Sequence, residues 1–406
     1  MGSAALATPE FELAFRFARE PDADEWLRDE TRRVLEALLS SFGRARVRAI
    51  IVSGSLARGE GGLGRWNGGT FPVADLDLYV VARTPQDAVV LREARHGFLA
   101  AHEGDSLRTD VGVATESDLA AMPDTIANFS LGRDGKVAWG DPSALGHLRN
   151  VDAARIPRED AINLVLNRAA EELAALRSAE NEPDSRAKAL VLYYRGVKTV
   201  ADVGLAILLR RGVCEPAYGG RGERVAAALD DDPRLAAEMP AAFAADVERA
   251  CEWKLAPRAE SLDGHVPGTP NYPEFVRRCV AARAAIVRGF CRWYTAGADD
   301  FLSVLATSEP FGRAARNWVR HARRSSAGRR ALIRRLAGAR LRPTPKLSSQ
   351  LAALAVYLAW DANDADASWR RAECFFSEPP SGDGRGAWAD AAVCEWEREI
   401  MNRRRA

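Results

Sequence analysis

The chain has 406 residues, 47% hydrophobic and 28% charged, a composition that suits two or three globular domains with sizeable cores and argues against a disordered chain. Its net charge of +1 provides no global field of the kind that marks a nucleic-acid binder. Six scattered cysteines with no CxxC pair argue against a zinc or disulfide framework and read as reduced thiols of a cytoplasmic protein.

Taken in chain order, Met1 to Phe15 has no basic stretch followed by an apolar run, so no signal peptide is expected. Ala23 to Phe42 has helical periodicity, with Trp26, Leu27, Val34, Leu35 and Leu38 on one side. Val47 to Ser53 is an apolar run that reads as a strand. Gly54-Ser55 follows it and is expected to open a helical turn, where free backbone N–H groups and the helix dipole favour a phosphate tail. Glycine there lets a phosphate approach the backbone closely.

Nineteen residues then separate Ser55 from Asp75, six of them glycine: Gly59, Gly61, Gly62, Gly64, Gly68 and Gly69. A mobile loop over a nucleotide and a plain surface insertion are both open readings of 56–74. Gly59 to Gly64 fits G-x-G-x-x-G, but a dinucleotide site needs a helix directly after the glycines. Trp66 to Pro72 breaks helices, so that reading is rejected.

The next strand, Asp75 to Val81, alternates. Leu76, Leu78 and Val80 point one way and Asp75, Asp77 and Tyr79 the other. Thr84-Pro85 opens a helix, with Pro at an early helical position. Leu107 to Ala114 reads as a third strand carrying Asp110. Lys136 to Trp139 reads as a short fourth, ended by Gly140-Asp141-Pro142. Three carboxylates converging from neighbouring strands need a cation to stay ionised. Magnesium, with manganese as the alternative, suits a few carboxylates plus substrate phosphates.

Beyond about residue 150 strand signals nearly vanish. Ile162, Val165, Leu166, Ala169, Leu173 and Leu176 keep helical spacing, as do Leu190, Tyr194, Val197, Ala201, Leu205 and Leu208. Further helices are expected at about 241–256 and 272–297, interrupted by a turn-rich stretch from Glu260 to Pro273. The expected domains are 1–150, a helical bundle over 151–297, and a C-terminal helical subdomain over 298–406. Arg195, Lys198 and Asp202 share a helix face. Arg195 and Lys198 are candidates for the triphosphate, and Asp202 is a candidate general base. A solvated, internally ion-paired face is the competing reading. Asn163, Asn167 and Glu171 form a second polar stripe, read either as an acceptor cleft or as an exposed face. Phe311 to Trp360 holds eleven arginines, one lysine and no acid, so the rest of the chain is net acidic. That segment suits a polyanion or docking onto an acidic surface of the same chain or a partner subunit. Leu351 to Trp360, an apolar run, is too short to span a bilayer, so no transmembrane segment is expected.

The segments "SGSLARGE", "ADLDLYVV" and "RTDVGVA" together resemble the DNA polymerase β-type nucleotidyltransferase superfamily. That pattern is a Gly-Ser turn after one strand, Asp-x-Asp on the next, and a third Asp on a later strand. The resemblance covers about residues 45–142. The helical remainder is similar in kind to the bundles of aminoglycoside nucleotidyltransferases. It implies an α/β (α+β) nucleotidyltransferase domain with a small mixed sheet, followed by a mostly α-helical bundle. It further implies that Gly54 and Ser55 hold the triphosphate and that Asp75, Asp77 and Asp110 bind magnesium, with Asp110 nearest the acceptor hydroxyl. The expected activity is transfer of a nucleoside monophosphate from an NTP to a hydroxyl of a small-molecule or protein acceptor, releasing pyrophosphate. Its rivals are transfer to RNA or nucleotides, including oligonucleotide second-messenger synthesis, and a non-catalytic nucleotide-binding module.

Overall fold

A computed structural model describes residues 11–66, 69–258, 267, 269–307, 345–360, 375–376 and 385–404. It is a mixed α/β structure that divides into two compact units. Residues 1–160, 211–219 and 251–261 make the first, and 161–210, 220–250 and 262–406 the second.

In the first unit a helix runs over Pro21–Phe42 (α1). Pro21 starts it, Asp22 and Asp24 sit in its first turn where the dipole favours acids, and Gly43 ends it at φ 77°. The strand Val47–Ser53 (β1) follows, then the single helical turn Gly54–Ala57 (α2). Next come the short strands Leu63–Trp66 (β2) and Gly69–Pro72 (β3), and the strand Leu76–Ala82 (β4). A helix over Pro85–Ala101 (α3), capped by Thr84 onto the Asp87 N–H, leads to Thr109–Ala114 (β5). The helices Glu116–Ala120 (α4) and Ile126–Asp134 (α5) precede Lys136–Gly140 (β6).

Four strands form one sheet in the order β5-β4-β1-β6. β1 pairs antiparallel with β4 and β6, while β4 and β5 are parallel. The parallel pair requires a crossover, and α3 supplies it. The apolar run Ala49–Val52 of β1 follows from its central place with both faces covered. Ile50, Val52, Leu76, Leu78, Val80 and Val111 join the core built with Leu27, Val34, Leu35 and Leu38 of α1 and Ala88, Leu91 and Phe98 of α3. Each fully buried Val, Leu, Ile or Phe side chain among them stabilises by about 1.5–3 kcal/mol. On the other face Ala49, Ile51, Val81 and Ala114 pack with Leu119 of α4 and Leu131 of α5, and Tyr79 leans on that cluster.

Among its described residues the glycine-rich 56–74 stretch is not a plain surface insertion. β2 and β3 pair as a two-stranded antiparallel sheet, and Gly61, Gly62, Leu63, Gly64, Val73 and Ala74 are buried. The Gly61 N–H donates to the Phe17 carbonyl (2.8 Å), and the Lys254 ammonium, 2% exposed, donates to the Val73 carbonyl. That anchoring brings 251–261 into the first unit. Residues 211–219 join it through Glu215, which takes both Arg133 Nη atoms (2.8 and 3.1 Å), and through the Tyr218 N–H, which donates to Glu60 (2.8 Å).

The second unit is helical: Arg158–Asn181 (α6, from Ala161 onward), Arg186–Arg210 (α7), Arg221–Asp231 (α8), Pro233–Glu238 (α9), Phe243–Leu255 (α10, up to Ala250), Tyr272–Tyr294 (α11), Phe301–Thr307 (α12), Pro345–Leu358 (α13) and Arg385–Arg404 (α14). Across the expected 297/298 boundary, α13 packs against both α11 and α12. Residues 308–344, most of the basic segment, lie outside the described residues. So does most of the Glu260–Pro273 stretch. No helix among the described residues is long and apolar enough to cross a membrane.

Candidate active site

The end of β1 sets the site. Cross-strand register pairs Ser53 with Asp77 on β4, and Asp77 with Asp110 on β5. The three residues therefore form one row across three adjacent strands. Residues at such positions have Cβ atoms about 5 Å apart. By the alternation of the strands the row belongs to the face that carries Tyr79 and Val81.

At the end of that row the chain turns sharply at Gly54, where φ is 69°. A side chain there is excluded twice. The left-handed backbone disfavours a Cβ, and a Cβ would collide with the Asp77 carboxylate. The glycine thus lets the carboxylate lie against the backbone of the turn. α2 is only four residues long, so its dipole is small. What the turn offers an anion is free N–H groups, not a macrodipole.

A cleft of about 360 Å³ opens at this row. Ser53, Gly54, Asp77, Tyr79, Arg95 and Asp110 line it, together with Ala127 and Ser130 of α5. Asp77 and Asp110 are both half-buried. Burial, followed by the charges of Asp77 and Asp110, pushes the Tyr79 phenol up from its ordinary range, so it stays a neutral donor. The Tyr79 ring lies against Gly112, its register partner on β5. A Cβ at 112 would stand 3.0 Å from that ring.

Behind the cleft a buried polar network fixes α2 to α5. The Arg58 guanidinium donates to Glu60 (2.8 Å) and to the Ser130 hydroxyl (2.8 Å), and lies 3.7 Å from Asp134. Both Arg58 and Glu60 are nearly buried.

Not every expected residue comes to this place. Asp75 precedes β4 and Ser55 sits within α2, and both stand outside the cleft lining. Among the described residues no group of three or more His, Cys, Asp or Glu side chains is close enough together to hold a metal ion. The donor set present is the two carboxylates Asp77 and Asp110. That set fits a magnesium ion completing its shell with water and phosphate oxygens, not an all-protein cage.

The helical candidates belong to the interior of the second unit. Arg195 donates to Glu171 (2.6 Å), which also takes Arg168 (2.8 Å). Asp202 is 6% exposed, with Arg168 at 3.4 Å and Arg221 at 3.8 Å. Lys198 and Arg195 stand over the Tyr194 ring, at 5.9 and 5.4 Å. The internal ion pairing of the competing reading is present, while Asp202 is buried and Arg195 and Lys198 are half-buried rather than solvated. The exposed-face reading of the Asn163, Asn167 and Glu171 stripe is corrected. Asn167 accepts from Gln350 (2.7 Å), and all three residues are half-buried.

Arg95 and the Ser53 hydroxyl escaped the reading of the sequence. Arg95 lies four residues after Leu91 and seven after Ala88, on the buried stripe of α3. A guanidinium at a core-facing position of a crossover helix is the signal that marks it. No protein-family model matches the chain, and no curated protein matches it.

Proposed function

We propose that the first unit carries a metal-dependent nucleotidyl-transfer site. The observation that carries this reading is the register of Asp77 and Asp110 on adjacent parallel strands, beside a glycine turn and within one cleft. The order of the parts along the chain matches the nucleotidyltransferase pattern, and the mixed sheet with one parallel pair is consistent with it.

In this reading Asp77 and Asp110 hold a magnesium ion, which supplies charge neutralisation for the triphosphate and the leaving pyrophosphate. The backbone N–H groups of the Gly54 turn receive phosphate oxygens. Arg95, planar and permanently charged, faces the anionic substrate from the β5 side. Asp110 accepts the proton of the acceptor hydroxyl as its oxygen bonds to the α-phosphorus and the bond to pyrophosphate breaks. The acceptor is a hydroxyl of a small molecule or a protein.

The test uses each α-labelled NTP with magnesium and a cell extract, for the wild type and an Asp77→Asn/Asp110→Asn variant. Label transferred to an acceptor by the wild type alone is the expected result. A second reading, a nucleotide-binding module without turnover, draws on Asp75 standing outside the cleft. Nucleotide binding with no transfer to any acceptor, with magnesium or manganese, would favour it.

A further inference from the structure

Ser53 ends β1 and is the N-cap of α2, yet its side chain makes no capping hydrogen bond. A serine in that position ordinarily turns its hydroxyl onto an N–H two or three residues on. Ser53 is 6% exposed and lines the cleft. Its hydroxyl makes no hydrogen bond among the described residues. The side chain is mostly covered, yet its hydroxyl opens into the cleft, where a ligand or water can complete it. The register places Ser53 directly beside Asp77.

The other serine of the cleft is already committed, since the Ser130 hydroxyl receives the Arg58 guanidinium at 2.8 Å. Ionised carboxylates accept hydrogen bonds and repel a phosphate. A small neutral O–H between the Gly54 turn and Asp77 can donate to one without repulsion. Resting on the nucleotidyl-transfer reading, we infer that Ser53 is a substrate-binding residue whose hydroxyl donates to a phosphate oxygen of the bound nucleotide.

The experiment titrates the full-length wild type and Ser53→Ala calorimetrically with ATP, GTP, CTP and UTP, and separately with inorganic pyrophosphate, each with magnesium. Titrations are run well below the unfolding temperature, and thermal unfolding of both proteins is recorded. Ser53→Ala removes no capping bond, so it unfolds at the wild-type temperature. Its affinity for the preferred NTP and for pyrophosphate falls together, about ten-fold, as expected for a hydrogen bond to a charged group. Unchanged affinity would overturn the assignment, and a lowered unfolding temperature beside it would make the hydroxyl structural. Loss of NTP affinity with pyrophosphate affinity intact would also overturn it, because Ser53 would then contact sugar or base. If the wild type binds neither NTP nor pyrophosphate, the nucleotidyl-transfer reading itself fails and takes this inference with it.

Discussion

Gly54 bears two separate demands, a left-handed backbone and room for the Asp77 carboxylate. Gly54→Ala therefore strains the turn by about 1–2 kcal/mol and displaces Asp77 from its place. The expected outcome is a lower urea midpoint and a clear loss of nucleotide affinity, measured on the same protein. The placement of Asp77 and Asp110 was legible because strand parity puts a residue on a face whatever its partners are. The position of Ser53 in the same row was not, because register comes from pairing across β1, β4 and β5, which a single strand does not encode. Parity also placed Asp75 with Asp77, but Asp75 falls just before the paired part of β4 and outside the cleft lining.

Between residue and unit, the segment from α2 through β3 departs most from expectation. Strand β1 and the start of α3 were readable almost to the residue, whereas the capped helices α4 and α5 were not read. β1 spans the apolar run Val47–Ser53, and α3 starts at Pro85 behind its Thr84 cap. The β2–β3 sheet was not readable, because glycines carry no side-chain period and its anchors, Phe17 and Lys254, are distant in the chain. The buried Arg58–Glu60 pair ties α2 to Ser130 of α5 and to Tyr218. Glu60→Ala leaves a nearly buried guanidinium with the Asp134 carboxylate alone, at 3.7 Å, and the Tyr218 N–H without its acceptor. Breaking such a pair costs up to about 3–5 kcal/mol. A matching drop in unfolding free energy is expected from urea titration, with reduced nucleotide affinity because Ser130 loses its fixed position.

At the scale of the whole chain, the near-zero net charge conceals a strong division, with the basic stretch of 311–360 on an otherwise acidic protein. The chain divides into two units whose membership is decided by contacts distant in sequence. Arg133–Glu215 and Lys254–Val73 draw 211–219 and 251–261 into the unit that holds the cleft. The helical candidates Arg195 and Asp202 are accounted for by ion pairs within the second unit, so the proposed chemistry rests on the first. The most direct test of that chemistry is a calorimetric titration of the wild type and Asp77→Asn/Asp110→Asn with each NTP, with and without magnesium. The account predicts saturable binding of at least one NTP that requires magnesium and is lost in the double variant. Absence of binding to the wild type, or binding indifferent to both carboxylates, would contradict it.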